Sequence, residues 1–380
     1  MKILVSLLAL LVGLTACGTA ATPRSQSHGS STSGGASTGA AASPGGSSGA
    51  LFAVLEGAAP NVSQANTVAI VALDGYAVAK ARFLPRKGPY VPMAATMPQS
   101  EAQVGAGGVY YIDGNGAVRL LKRSGQPSVV ATFPSTPTQH EVWYAVKPDG
   151  RSVLAGVLTL PAVASPSPGT DLPPTLVGGW SFQLELASAG GATRVLQRAQ
   201  SADLPGSPTS FQPVFPVGWT AAGPVAMVGA PIATQNIWPG GPLFTIDGAG
   251  NATTRVGGGD CTAARILPSG LVPCVTGTGS TVSVRDASGR VVWQPSVDGF
   301  NALQLSLAPD GSAITDGRRV ATRTQSFEVP AGFQAQGWLD PQTLVGRRGT
   351  GDLAYLRLDS RTVLHDLGFK ADFVGPLSVG

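Results

Sequence analysis

The chain has 380 residues, among them 51 Gly and 31 Pro, with 43% hydrophobic and only 12% charged residues. Few Lys and Glu are left to fill exposed helix faces, and Gly and Pro break helices, which argues against a helical bundle, a coiled coil or a doubly wound α/β enzyme and for a large all-β chain. A formal net charge of +4 is too weak for the dense basic face that nucleic acid requires.

In chain order, Met1-Lys2 supplies a positive start and Ile3 to Leu14 an apolar stretch too short to span a bilayer, the pattern of an export signal over residues 1–16. It runs into Leu14-Thr15-Ala16-Cys17, which resembles the lipobox of bacterial lipoproteins. That resemblance implies cleavage before Cys17 and a diacylglyceryl thioether on its sulfur, usually with a further acyl chain such as palmitate on its amine. Two or more acyl chains, each CH₂ contributing ~0.8 kcal/mol, hold a protein stably on a membrane. Residues 18–50 are Gly, Ser, Ala or Thr at 28 of 33 positions and have no apolar face to bury, so 17–50 reads as a lipidated Cys and a flexible tether of roughly 30 Å span. His28 falls in that tether.

From 51 to 380 the texture changes to short β-branched runs separated by Gly, Asp, Pro and Ser. A hairpin closed by an Asp or Gly turn recurs seven times, over 68–83, 116–133, 180–197, 242–256, 281–294, 319–331 and 353–367. A second hairpin precedes most of these, with turns such as Lys147-Pro148-Asp149-Gly150, Leu267-Pro268-Ser269-Gly270, Ala308-Pro309-Asp310-Gly311 and Asp340-Pro341-Gln342. Two hairpins in tandem make a four-stranded meander, and a period of ~40–50 residues is that of a propeller blade. The Pro-Asp-Gly turns with a following apolar strand resemble the repeats of Tol-type and WD-like β-propellers. The stretch Val282 to Trp293 also resembles quinoprotein-type repeats. These resemblances imply architecture alone. The expected fold is a seven-bladed β-propeller of four-stranded antiparallel blades, with six blades as the alternative. The C-terminal strand Asp372–Leu377 is expected to join the first blade and leave no open edge.

With Cys17 lipidated, Cys261 and Cys274 remain. They flank the turn at Pro268-Ser269-Gly270 at similar distances, which places them on adjacent strands of one blade, and an oxidising location favours a disulfide between them. No Cys-x-x-Cys, His-x-x-x-His, Gly-x-Ser-x-Gly or phosphate-cradling glycine loop occurs, and no cofactor or metal is expected. Asp74, Asp113, Asp247, Asp286 and Asp359 fall in hairpin turns, where Asp caps its own backbone. Trp143, Trp219 and Trp338 fall in inner strands or their turns and read as packing between blades.

If the strands of a blade run A to D from the axis outward, the B–C loops and the D–A links share one face. That face would carry a Pro-rich loop from Pro161 to Gly179 and a second from Gly229 to Gly241 containing Gln235, Asn236 and Trp238. Arg318, Arg319, Arg347 and Arg348 fall at shorter B–C turns. Long loops and Arg or Trp anchors on a rigid scaffold suit partner binding. The expected protein is a monomeric, lipid-anchored propeller on the extracytoplasmic side of the cell membrane, with a non-catalytic role toward an envelope protein or glycan. The alternatives are a glycan hydrolase or lyase, with paired acids converging on the axis, and a quinone-dependent dehydrogenase.

Overall fold

The computed structural model describes residues 49–57, 65–85, 102–133, 140–159, 163–164, 175–176, 180–188, 193–201, 214–228, 241–276, 281–296, 300 and 305–377, all within one compact unit, 47–380. Cys17 and the tether up to residue 48 lie outside them. The described strands form seven antiparallel blades. Blade 1 runs outward from the axis as Asp372–Leu377, Leu51–Glu56, Thr67–Ala72 and Ala77–Arg82. Blade 2 is Ala102–Gly105, Gly108–Ile112, Ala117–Lys122 and Pro127–Thr132. In blade 3, His140–Val146, Ser152–Thr159, Trp180–Ser188 and Thr193–Ser201 form the main sheet, and the short pair Val163–Ala164 and Thr175–Leu176 lies within its B–C connection. Blade 4 is Val214–Thr220, Gly223–Val228, Leu243–Ile246 and Ala252–Val256. Blade 6 is Ser306–Leu307, Ala313–Thr315, Arg319–Thr322 and Ser326–Glu328, and blade 7 is Phe333–Asp340, Thr343–Arg348, Asp352–Arg357 and Leu364–Lys370. Seven blades, not six, close the ring.

Blade 5 departs from the expected pattern. Its sheet has three strands, Val272–Thr276, Thr281–Arg285 and Val291–Trp293. The place of its inner strand is taken by residues 261–266, joined to the sheet through a single bridge, Thr262 to Val275. The run Cys-Thr-Ala-Ala-Arg-Ile offers few of the β-branched side chains that favour a pleated ladder. A disulfide between Cys261 and Cys274, as the spacing predicts, fastens this segment to its neighbour with Cα atoms 5.1 Å apart.

The core lies between blades, and it explains the burial patterns. Thr67–Ala72 is buried at every position because both of its faces meet another blade, whereas the outermost strand Ala77–Arg82 alternates between solvent and core. Leu55, Val68 and Ile70 of blade 1 pack on Val109, Tyr111 and Leu121 of blade 2. On its other side Phe52, Val54 and Val71 meet Leu339, Val345 and Leu353 of blade 7, which seals the ring. Closure is completed by the C-terminal strand, whose Leu377 pairs with Leu51 and whose Asp372 pairs with Leu55.

Polar side chains clamp blade to blade near the axis. Trp219 of blade 4 donates its indole N–H to Ala145 O of blade 3 at 3.0 Å, and Trp338 of blade 7 donates to Ser306 O of blade 6 at 3.0 Å. Trp143 packs edge-on against Phe215, with ring centroids 4.5 Å apart. Gln103 donates to Tyr144 O and accepts from Val146 N, joining blades 2 and 3. The Asp-Gly turns serve the same purpose. Gly311 has φ 75° and leaves its Cα side open to Leu271 of blade 5, where an added Cβ would lie 2.3 Å from Cδ1. Its carbonyl accepts from the Trp293 indole at 2.8 Å.

Candidate functional site

The turn aspartates are occupied by their own backbones. Asp247 accepts from Ala249 N and Asn251 N at 2.8 Å each, and these contacts, with the Asn251 bond foremost, hold its carboxyl below the usual carboxylate range. Asp286 is held at about 2, chiefly by the Ser288 hydroxyl and then by Arg290. Asp359 differs from the rest. It sits in a short 3₁₀ turn, Leu358–Ser360, and pairs with the Arg357 guanidinium at 3.0 Å.

The B–C turns of blades 6 and 7 place the predicted arginines on one rim. In blade 6, the buried Asp316 accepts from Arg318 N at 2.9 Å and Arg319 N at 2.7 Å, which fixes the backbone that carries both side chains. The same turn reaches blade 7, where Ala335 N donates to Gly317 O at 2.8 Å. The neighbouring residue, Gln334, is in register with Arg347. Arg347 then crosses to blade 1, pairing with Asp372 at 2.7 Å and donating from Nε to Ala371 O at 3.0 Å. Gln336 completes the cluster by donating to Asp372 Oδ1 at 2.5 Å and accepting from Phe373 N at 2.8 Å. Burial pushes the Asp372 carboxyl up, and Arg347 and Gln336 oppose that shift.

The four arginines are therefore not equivalent. Arg347 is spent on a half-buried inter-blade ion pair. Arg348 pairs with Asp366 at 2.6 Å at the surface, and Arg319 lies 3.7 Å from Glu328. Arg318 is exposed, and among the described residues none engages its guanidinium. Gln235, Asn236 and Trp238, the other residues read as anchors, lie outside the described residues. So does most of the blade 3 insertion.

Two inner-strand aspartates mark opposite ends of the ring. Asp372 is at the B–C mouth with Arg347, while Asp340 begins the A–B turn of blade 7 and accepts from Gln342 N at 2.7 Å. Among the described residues, no group of three or more His, Cys, Asp or Glu is placed to hold a metal ion. His365 stacks on Tyr355 with ring centroids 4.6 Å apart.

One further arginine, which the sequence did not single out, stands at the inner edge of blade 5. Arg265 belongs to the inner segment of blade 5, next to the buried Ile266 and two residues after the buried Ala263, yet its own side chain is reached by solvent. No local motif marks this position, because its meaning depends on which strand lies innermost once the ring has closed.

No sequence-family model matches the chain, and no curated protein matches it. Solved structures that are similar to it include a candidate 6-phosphogluconolactonase from Bacteroides fragilis, 13% identical with a TM-score of 0.46, covering 89% of this chain and 100% of that one. AztD from Citrobacter koseri is 9% identical with a TM-score of 0.43, covering 87% of this chain and 97% of that one. The Dos1 propeller is 12% identical with a TM-score of 0.40, covering 85% and 83% respectively. At these scores the likenesses carry no argument about activity, and the propeller assignment stands on the sheet order above.

Proposed function

We propose that the chain is a lipid-anchored envelope protein whose propeller binds a protein or glycan partner through its B–C face without itself catalysing a reaction. The observation that carries the binding reading is Arg318. A buried carboxylate and an inter-blade hydrogen bond hold its backbone, while its guanidinium faces solvent with no described partner. A rigidly mounted cationic fork loses little conformational entropy on binding an acidic or planar group. Arg348 extends the same rim in the neighbouring blade, and its exposed ion pair with Asp366 is of the kind that contributes little and exchanges readily.

The anchoring half of the proposal rests on Met1 to Cys17. Replacing Cys17→Ser is expected to move the protein from the membrane fraction to the soluble fraction, and retention at the membrane would refute lipidation at that residue. For the face, a photo-crosslinking residue is placed at Arg318 or Arg348, and at Ser269 or Asp310 on the opposite face, in cells of the source bacterium. Adducts of one defined mass from the B–C positions alone support the assignment. Adducts from the A–B positions alone, or from none, refute it.

A further inference from the structure

The outer strand of blade 1 combines apolar and cationic side chains on its solvent side. Val78, Lys80 and Arg82 are exposed and alternate with the buried Ala79 and Ala81, so the three share the outward face. Tyr76 lies just before the strand and Leu84 just after it. Among the described residues six large apolar side chains are exposed, and three of them are here, Tyr76 at 59%, Leu84 at 50% and Val78 at 36%. Residues 75–85 contain no Asp or Glu. Lys80 reaches Glu56 while staying half exposed, and none of the described residues engages Arg82. By contrast, the outer strands of blades 6 and 7 carry Glu328 and Asp366, and that of blade 2 carries no charge.

The chain from Cys17 enters the propeller in this same blade. Leu51 opens the second strand and pairs with Ala72, whose N–H bonds to Tyr76 O at 2.9 Å. Tyr76 is therefore two strands out from the point of entry, about 10 Å at the spacing of adjacent strands. A tether of roughly 30 Å keeps whatever surrounds its root at an effective concentration on the order of millimolar at the membrane, where contacts too weak to hold a free protein become populated. Tyr suits the headgroup boundary because its ring is apolar and its hydroxyl polar. Lys and Arg beside apolar side chains favour an anionic lipid surface.

We propose that Tyr76, Val78, Lys80, Arg82 and Leu84 dock blade 1 on the headgroup layer of an anionic phospholipid membrane. The apolar three enter the headgroup boundary, and Lys80 and Arg82 meet lipid phosphates. This surface rests on the lipid-anchored reading above and is independent of the arginines of the B–C rim.

The test reconstitutes the full, lipidated chain on phosphatidylcholine vesicles containing about one third phosphatidylglycerol and a headgroup spin-labelled lipid. A fluorophore is placed at Val78→Cys or, as control, at Val291→Cys on the outer strand of blade 5, where the native side chain is 50% exposed. Cys261 and Cys274 are bonded to each other and Cys17 is acylated, so the dye enters at the new thiol. Quenching at Val78 should exceed that at Val291 by about threefold or more, although the control site is the more exposed of the two. The excess should fall by about half or more in 1 M salt or on phosphatidylcholine alone, and likewise in Lys80→Gln/Arg82→Gln. Equal quenching at the two sites overturns the proposal, and so does an excess that neither salt nor the loss of anionic lipid reduces. The salt arm needs no change at Lys80 or Arg82, so it decides even if that variant fails to fold. A Val78→Cys chain that forms disulfide-linked dimers on the vesicles places a second copy on this strand and overturns the lipid assignment. Flotation with the vesicles reads the anchor separately. A chain that floats with uniform quenching refutes the docking surface alone, whereas a chain that does not float refutes the anchor and the docking with it.

Discussion

Removing the clip in blade 5 tests how its incomplete inner strand is held. In the variant Cys261→Ala/Cys274→Ala, the loop closed by a sequence separation of 13 is released, which costs about 3 kcal/mol by chain entropy. Both sulfurs are fully buried in the cluster shared by blades 3, 4 and 5, and their loss adds about 1 kcal/mol of missing packing. A unit spanning 47–380 unfolds with an entropy of about 0.7 kcal/mol/K, so the melting temperature should fall by about 6 °C. Differential scanning calorimetry measures that fall, and hydrogen exchange followed by mass spectrometry locates it. Exchange should rise at 262–266, where a single bridge to Val275 remains, and much less in blades 1, 2, 6 and 7. Wild-type protein in reductant should reproduce most of the shift. If the melting temperature moved by less than about 1 °C and exchange at 262–266 were unchanged, side-chain packing alone would hold the segment and the reasoning would fail.

Other perturbations address other parts of the ring. Trp219→Phe removes the bond from the indole to Ala145 O between blades 3 and 4, and a loss of about 1 kcal/mol is expected in urea melts with an unchanged m-value. Glu185 is buried, and burial raises its pKa against a weaker opposing effect of Arg198. A carboxyl raised in the folded state binds its proton more tightly there than when unfolded. Its contribution to stability is therefore present below the ordinary glutamate range and lost as pH rises through the raised value. Glu185→Gln should flatten that part of the stability–pH curve, and an undiminished slope in chemical denaturation would contradict it. A chain ending at Lys370 lacks the inner strand of blade 1 and leaves the edge of Leu51–Glu56 unpaired. It should elute as aggregates in size exclusion, and a peptide of residues 371–380 added in trans should restore the monomer peak.

The seven outer hairpins were legible because each is local. An extended run, an Asp or Gly turn and a second run lie within about fifteen residues, and the turn chemistry acts through the backbone two to four residues on. The place of Asp372–Leu377 was legible too, since an odd strand at one end and a missing strand at the other suggest a single closure. The inner segment of blade 5 was less so, because residues 261–266 lack a strand composition and are placed by the ring around them. The partners of the rim arginines were also hidden. Arg347 meets Asp372 only because blade 7 and the C-terminal strand become neighbours on closure, and Gln336 joins them from a third strand.

The pairing of Leu51 with Leu377 also sets an order of events during synthesis. At about 5–20 residues per second, roughly 16–65 s separate the appearance of the first of these residues from that of the last. Throughout that interval the earliest blade has no neighbour along its axial edge, and the faces of Phe52 and Val54 that later meet blade 7 have nothing to cover them. A ring built this way closes only after the strand Asp372–Leu377 has been made. Until Asp372–Leu377 has emerged, the inner edge of Leu51–Glu56 has no strand to pair with and the ring stays open.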